Sequence, residues 1–147
     1  MITIHCDGGC RNNQSKINTG GWGAIIIYKD KKKEIKGGTR NTTNNIMELT
    51  SCIESLRALK RKDISIEVIM DSQYVIDGIN SWYKNWIKNG WKTSTKKPVE
   101  NKELWVELIE LKSQFKDITF TKCKGHSNNV GNNRADELAN EAMDEIA

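Results

Sequence analysis

Apolar and polar residues alternate at the start of the chain, where Ile2, Ile4 and Cys6 are separated by Thr3 and His5. A period of two predicts a β-strand, ending at Asp7 before Gly8-Gly9. Polar residues follow to Gly20-Gly21, and an isoleucine-rich run over 22–28 predicts a second strand. Asp30-Lys31-Lys32-Lys33 reads as a turn, and 34–39 as a third strand folded back as a meander. From Asn44 the period lengthens: Ile46, Leu49, Ile53, Leu56 and Leu59 fall on one helical stripe. A short β-branched run over 64–70 predicts a fourth strand that stops at Asp71. Residues 72–79 read as a short helix closed near Gly78, and Trp82, Tyr83, Trp86 and Ile87 as another halted by Gly90. Leu104, Leu108, Leu111 and Phe115 mark a longer helix, and 118–123 a fifth strand. Ala135, Leu138, Ala139, Ala142 and Ile146 form the stripe of a closing helix.

Three consecutive strands followed by alternating helices and strands imply an α/β fold, a mixed five-stranded sheet flanked by helices. At 147 residues the chain is expected to form one domain. No apolar run reaches the ~20 residues of a membrane span. A strand beginning at Ile2 leaves no room for a signal peptide, so a cytoplasmic protein is expected. The four cysteines are too few and too irregular for a disulfide framework. His5, Cys6 and Cys10 suggest zinc ligands at most, because no second ligand pair is spaced to complete a site.

The net charge of +4 is unevenly spread. Residues 84–102 hold six lysines against the single acid Glu100, a local +5 that leaves −1 for the rest of the chain. Trp82, Trp86, Trp91 and Trp105 lie in or beside this segment. Basic charge interleaved with aromatics points to a polyanionic partner.

Four acids stand where strands and helices meet: Asp7, Glu48, Asp71 and Asp136. Each alone has an ordinary structural role. Asp7 suits a turn, Asp71 a helix N-cap, Glu48 a capping box with Asn45, and Asp136 the first turn of the last helix. Together they form a different pattern. Asp7 and Asp71 end strands, where open α/β sheets gather function. Glu48 lies roughly 90° from the centre of its helical stripe, at the border of core and surface. Two like charges ~4 Å apart repel by about 4 kcal/mol at an effective dielectric near 20, so such a cluster is useful only with cations. Hard oxygen ligands beside a phosphodiester point to magnesium, with manganese as the alternative. His126, ten residues before Asp136, has a side chain able to move protons near neutral pH.

These residues resemble the type 1 ribonuclease H family. The resemblance rests on Asp7-Gly-Gly-Cys10, on residues 42–49 (TTNNIMEL), on Asp71-Ser-Gln-Tyr-Val75, and on Lys124-Gly-His126 followed by residues 133–139 (NRADELA). It runs from Ile2 to about Ala142, in the family's order. It implies a ribonuclease H-like fold, with one catalytic domain over 1–147 and a basic handle at about 82–102. The implied activity is endonucleolytic hydrolysis of the RNA strand of RNA–DNA hybrids, leaving 5′-phosphate and 3′-hydroxyl ends. By the same resemblance Asp7, Glu48, Asp71 and Asp136 hold two metal ions, and His126 assists proton movement or product departure. Asn13, Asn44, Asn45 and Gln73 are implied to face the hybrid's minor groove, and Thr43 and Asn101 to grip a DNA-strand phosphate. Trp82 is implied to line the DNA channel, with Lys92, Lys96 and Lys97 on phosphates. A monomer is expected.

Two departures from the family pattern stand out. The segment between Cys10 and Gly20 is longer than the family's compact Gly-Asn-Pro-Gly loop and lacks those residues, which leaves Asn12 and Asn13 as alternative contacts. The arginine common two positions before the phosphate-gripping threonine is Asn41 here, with Arg40 one residue earlier. A resolvase- or transposase-like core acting on DNA is the alternative within catalysis, and a non-catalytic hybrid-binding protein the alternative outside it. The Asn44-Asn45 pair and the longer handle weigh against the first, and the retained carboxylates against the second.

Overall fold

The computed structural model describes residues 1–11, 17–123 and 129–146. Five strands form one mixed sheet in the order β3-β2-β1-β4-β5. Strands β1 (Ile2–Arg11), β2 (Thr19–Tyr28) and β3 (Lys31–Arg40) make the expected antiparallel meander. Strands β4 (Ile66–Met70) and β5 (Ile118–Lys122) extend it in parallel beyond β1. Helix α1 (Asn44–Arg57) packs on β1 and β2 and against α4 (Lys102–Ser113). Helix α5 (Val130–Ile146) lies on the opposite face, across β1, β2 and β3. The core between the sheet and α1 contains Ile4, Cys6, Leu49, Ile53, Leu56, Val68, Met70, Trp105 and Leu108. Among the described residues no helix is long and apolar enough to cross a membrane.

The meander differs from its sequence reading at both turns. Strand β1 does not stop at Gly8-Gly9; it stays paired with β2 as far as Arg11↔Thr19. Gly8 serves helix approach rather than a turn, since a Cβ there would stand 2.3 Å from the carbonyl carbon of Met47 in α1. At the other end Lys31, Lys32 and Lys33 belong to β3, paired with Tyr28, Ile27 and Ile26, so the turn shrinks to Lys29-Asp30. Lysines on this outer strand discourage edge-to-edge association.

Gly78 does not close the helix that follows Asp71. Helix α2 (Gln73–Asp77) runs through a π-helical segment (Gly78–Trp82) into α3 (Tyr83–Lys88). The glycine makes room for the fully buried Trp105, whose ring would lie 2.1 Å from a Cβ placed at residue 78. Trp105 is therefore core, and Trp86 packs against that core while partly buried. Gly78→Ala is expected to lower unfolding free energy by about 1–3 kcal/mol through overpacking. Chemical denaturation measures this; an unchanged midpoint would show that the Trp105 ring yields freely.

Candidate active site

Parallel pairing places the first two acids together. β1 and β4 are in register from Ile2↔Ile66 to His5↔Ile69, and the same offset carried two residues on sets Asp7 beside Asp71. Both lie on the sheet face opposite the buried Ile4, Cys6, Val68 and Met70. Asp7 is no turn residue, for it pairs with Gly23 inside the hairpin. Nor is Asp71 the cap of α2: Ser72 fills that role, its hydroxyl accepting from the Val75 amide at 3.2 Å. Asp71 is exposed.

Glu48 arrives from α1. The helix is capped by Thr43, whose hydroxyl accepts from the Ile46 amide at 3.1 Å, rather than by a box between Asn45 and Glu48. Glu48 is buried instead, 7% exposed, and its Oε1 accepts a short hydrogen bond from the Gly8 amide. Close contact of Gly8 with the Met47–Glu48 backbone makes that reach possible.

Asp136 sits in the second turn of α5 rather than the first. The helix starts earlier than its apolar stripe, with Asn129 accepting from the Asn132 amide at 3.1 Å through Oδ1 and from the Asn133 amide at 3.0 Å through its carbonyl. Asp136 is exposed, and its carboxyl comes within hydrogen-bonding reach of Asp7.

Burial raises Asp7 from 3.8 to about 6, with Asp136 adding to the rise and the bond from Glu48 opposing it. Burial also pushes Glu48 far above the usual carboxylate range, and the charge of Asp7 adds to that. A proton on Glu48 donated to Asp7 satisfies both carboxyls. None of the four acids forms an ion pair with lysine or arginine among the described residues.

That donor set fits hard divalent cations: carboxylate oxygens with no basic partner, at the carboxyl ends of strands. Among the described residues no three side chains form a ready-made cage for a single ion. Asp7 stands between Glu48 and Asp136, while the exposed Asp71 and Asp136 are free to rotate toward a cation. The zinc reading fails. His5 Nδ1 is 2.9 Å from Asn132 Oδ1, and Cys6 is buried in the core beside Cys52, on the opposite sheet face.

The other sequence candidates are spread over several elements. His126 and Asn13, with Asn12, lie outside the described residues. Thr43 and Asn44 are exposed at the α1 N-terminus, with Asn45 half-buried behind them. Gln73 is exposed, its amide held between Lys122 Nζ at 2.7 Å and Asp77 Oδ1 at 2.7 Å. Asn101 takes a left-handed conformation (φ 59°) at the start of α4 and donates to the Tyr74 hydroxyl at 3.2 Å. That hydroxyl also accepts from Trp105 Nε1 at 2.9 Å, which fixes Tyr74 to the core. Trp82 is 41% exposed and stacks edge-on toward Tyr74. Lys92 bridges to Pro98, and a tight turn closed by Thr93 and Lys97 presents Lys96 and Lys97 to solvent. Tyr74 and Lys122 were not singled out by sequence reasoning. Their roles depend on partners 27 and 49 residues away, and their local patterns give no sign of them.

The RNase H family model matches residues 1–144. A Clostridium botulinum protein named Ribonuclease H is 52% identical over 146 residues, covering 99% of this chain and 97% of that protein. A Hydrogenovibrio crunogenus protein of the same name is 50% identical over 145 residues, covering 99% and 97%. Among solved structures, LC9-RNase H1, a type 1 RNase H with the type 2 active-site motif, superposes with a TM-score of 0.86 at 27% identity. The match covers 99% of this chain and 73% of that one. LC11-RNase H1, solved in complex with RNA/DNA hybrid, gives 0.72 at 26% identity and covers 99% of both chains.

The raised Asp7 sets a pH signature for the metal-free protein. Its stabilising contribution is complete below pH ~4, where folded and unfolded forms are both protonated, and is lost as pH rises through about 6. Asp7→Asn is expected to remove that descent and to raise metal-free stability near neutral pH by about 1–2 kcal/mol. Thermal melts with chelator across pH 4–8 measure it. A large loss of stability in the variant would mark Asp7 as a structural residue instead.

Proposed function

The chain belongs to the ribonuclease H family of nucleases, and we propose that it hydrolyses the RNA strand of RNA–DNA hybrids, leaving 5′-phosphate and 3′-hydroxyl ends. The observation that carries this reading is the acidic cluster where Asp7 of β1 meets Asp71 past β4, without a basic partner among the described residues, and with Asp7 raised between Glu48 and Asp136. A fold gains nothing from carboxylates facing a polyanion unless cations stand between them. Asp7, Glu48, Asp71 and Asp136 would hold two divalent ions, magnesium or manganese. When bound, such ions supply an activated water and charge neutralisation at the leaving oxygen.

The chain's own residues do the rest. Glu48 would hold an ion as a carboxylate, its proton passing to solvent, while the Gly8 amide keeps that carboxylate in place. Asp71, just past β4, and Asp136, on α5, present their exposed carboxylates from separate elements. His126 would assist proton movement. Thr43, Asn44 and Asn45 at the α1 N-terminus, Gln73 on α2 and Asn101 at the α4 start line one side of a groove for the hybrid, with Asn13 contributing from the β1–β2 loop. Discrimination between strands requires detection of a 2′-hydroxyl on one and deoxyribose on the other, which polar amides at a minor groove provide. Trp82 offers a flat apolar wall to the DNA strand, and Lys92, Lys96 and Lys97 contact phosphates without reading sequence. The basic segment at about 82–102 acts as the handle of a single catalytic domain over 1–147, working as a monomer in the cytoplasm. LC11-RNase H1, whose fold this chain shares, was solved with RNA/DNA hybrid, which supports the substrate class.

Two tests follow from this reading. In magnesium the protein is expected to cut RNA within a hybrid and to spare single-stranded RNA and duplex DNA, with chelator abolishing cleavage. Comparable cutting of duplex DNA would reject the substrate. Replacing Lys92, Lys96 and Lys97 together with alanine is expected to weaken hybrid binding and reduce the slope of log affinity against log salt by about 2–3. Fluorescence anisotropy over a salt series reads this, and an unaltered slope would remove the handle from binding.

A further inference from the structure

Between β3 and α1 the chain passes through Asn41, in a left-handed conformation (φ 58°), and the buried Thr42. Neither belongs to a strand or helix, so their backbone groups need partners from elsewhere. Asn18 supplies three of them, and the Cys10 thiol adds a longer contact of 3.6 Å to the Thr42 carbonyl. The Asn18 carbonyl accepts from the Asn41 amide at 2.9 Å. Its side-chain Oδ1 accepts from the Thr42 amide at 2.9 Å, and its Nδ2 donates to the Thr42 carbonyl at 2.9 Å. The amide side chain thus pairs both backbone groups of Thr42, as a neighbouring strand would. Thr42 is clamped from below as well, its methyl lying over Gly20, where a Cβ would stand 2.2 Å away.

From this geometry we infer that Asn18 is a positioning residue for hybrid binding, acting through the α1 N-terminus. Thr43 follows Thr42 directly, caps α1 and is exposed beside Asn44. Holding Thr42 at both its amide and its carbonyl fixes where these two side chains point. The inference rests on the hybrid-cleavage reading and deepens it by naming what sets the substrate-facing end of α1. It also assigns a role to the chain's departure from the family pattern between Cys10 and Gly20, since Asn18 closes that segment. Glu48, on the same helix, is anchored separately by the Gly8 amide. Loss of the Asn18 clamp therefore disturbs the N-terminal turn and leaves the acidic pocket in place.

Asn18→Ala is the test, with steady-state cleavage of a labelled RNA–DNA hybrid in magnesium and amide hydrogen exchange of the free protein. KM is expected to rise about tenfold with kcat unchanged within twofold, the loss of two modest hydrogen bonds. Exchange at Thr42 and in the first turn of α1 is expected to quicken. A residue that merely stabilises the fold would lower the melting temperature and leave KM where it was. Combining Asn18→Ala with Thr43→Ala is expected to raise KM by clearly less than the product of the two single effects, because the first acts in part through the second. Full additivity, or an unmoved KM, overturns the inference. Asn18→Ser, too short to reach both Thr42 groups, is expected to raise KM in the same direction and carries the test if the alanine variant does not fold. Absence of hybrid cleavage by the wild-type protein would overturn the function and this inference with it. Cleavage with an unmoved KM overturns this inference alone.

Discussion

Like charges brought together out of water are the constraint on which this structure turns. Burial holds the carboxyls of Asp7 and Glu48 above their ordinary range, with the charge of Asp7 adding to the rise at Glu48 and Asp136 to that at Asp7. Such an arrangement survives folding because other interactions over-determine it. The ten-residue hairpin of β1 with β2 fixes Asp7, the Gly8 contact with α1 fixes Glu48, and the docking of α5 across three strands fixes Asp136. Stability of the scaffold sustains a pocket that is itself unfavourable.

The sheet order explains why these acids meet. Placing β1 in the centre gives it an antiparallel neighbour on one side and a parallel one on the other. The parallel side aligns the ends of β1 and β4, so Asp7 and Asp71 come together from positions 64 residues apart. Helices on the two faces then bring Glu48 and Asp136 in from opposite sides. Relatives about half identical over the whole chain carry the name Ribonuclease H, and structures only about a quarter identical keep the fold. Topology of this kind tolerates wide sequence change provided the strand ends stay aligned.

Much of this was visible in the residues before any coordinates. Periods of two and 3.6 located all five strands and the long helices, because apolar positions recur on the side turned to the core. Asp71 was recognisable as a strand-end acid, whereas Asp7 lies within β1, which continues to Arg11. What the sequence hid were contacts between distant segments. Gly8-Gly9 looked like a turn, yet both continue the strand, and the bare Cα of Gly8 serves a helix pressed onto it. Gly78 looked like a helix stop, yet it accommodates Trp105 from another helix. The start of α5 was placed too late because Val130 and Gly131 add nothing to the apolar stripe, while the capping Asn129 sits outside it. Thr43, taken from the family resemblance as a phosphate ligand, also proves to be the cap of α1.

The fused path from α2 through the π-helical segment to α3 has a mechanical consequence. One unbroken rod joins the end of β4, where Asp71 sits, to the tryptophans and lysines that follow. Each residue of a helix advances the azimuth by about 100°, so adding or deleting a single position anywhere along it would swing the basic arm to another side of the molecule. Sequence drift can alter what this arm carries far more readily than how long its shaft is.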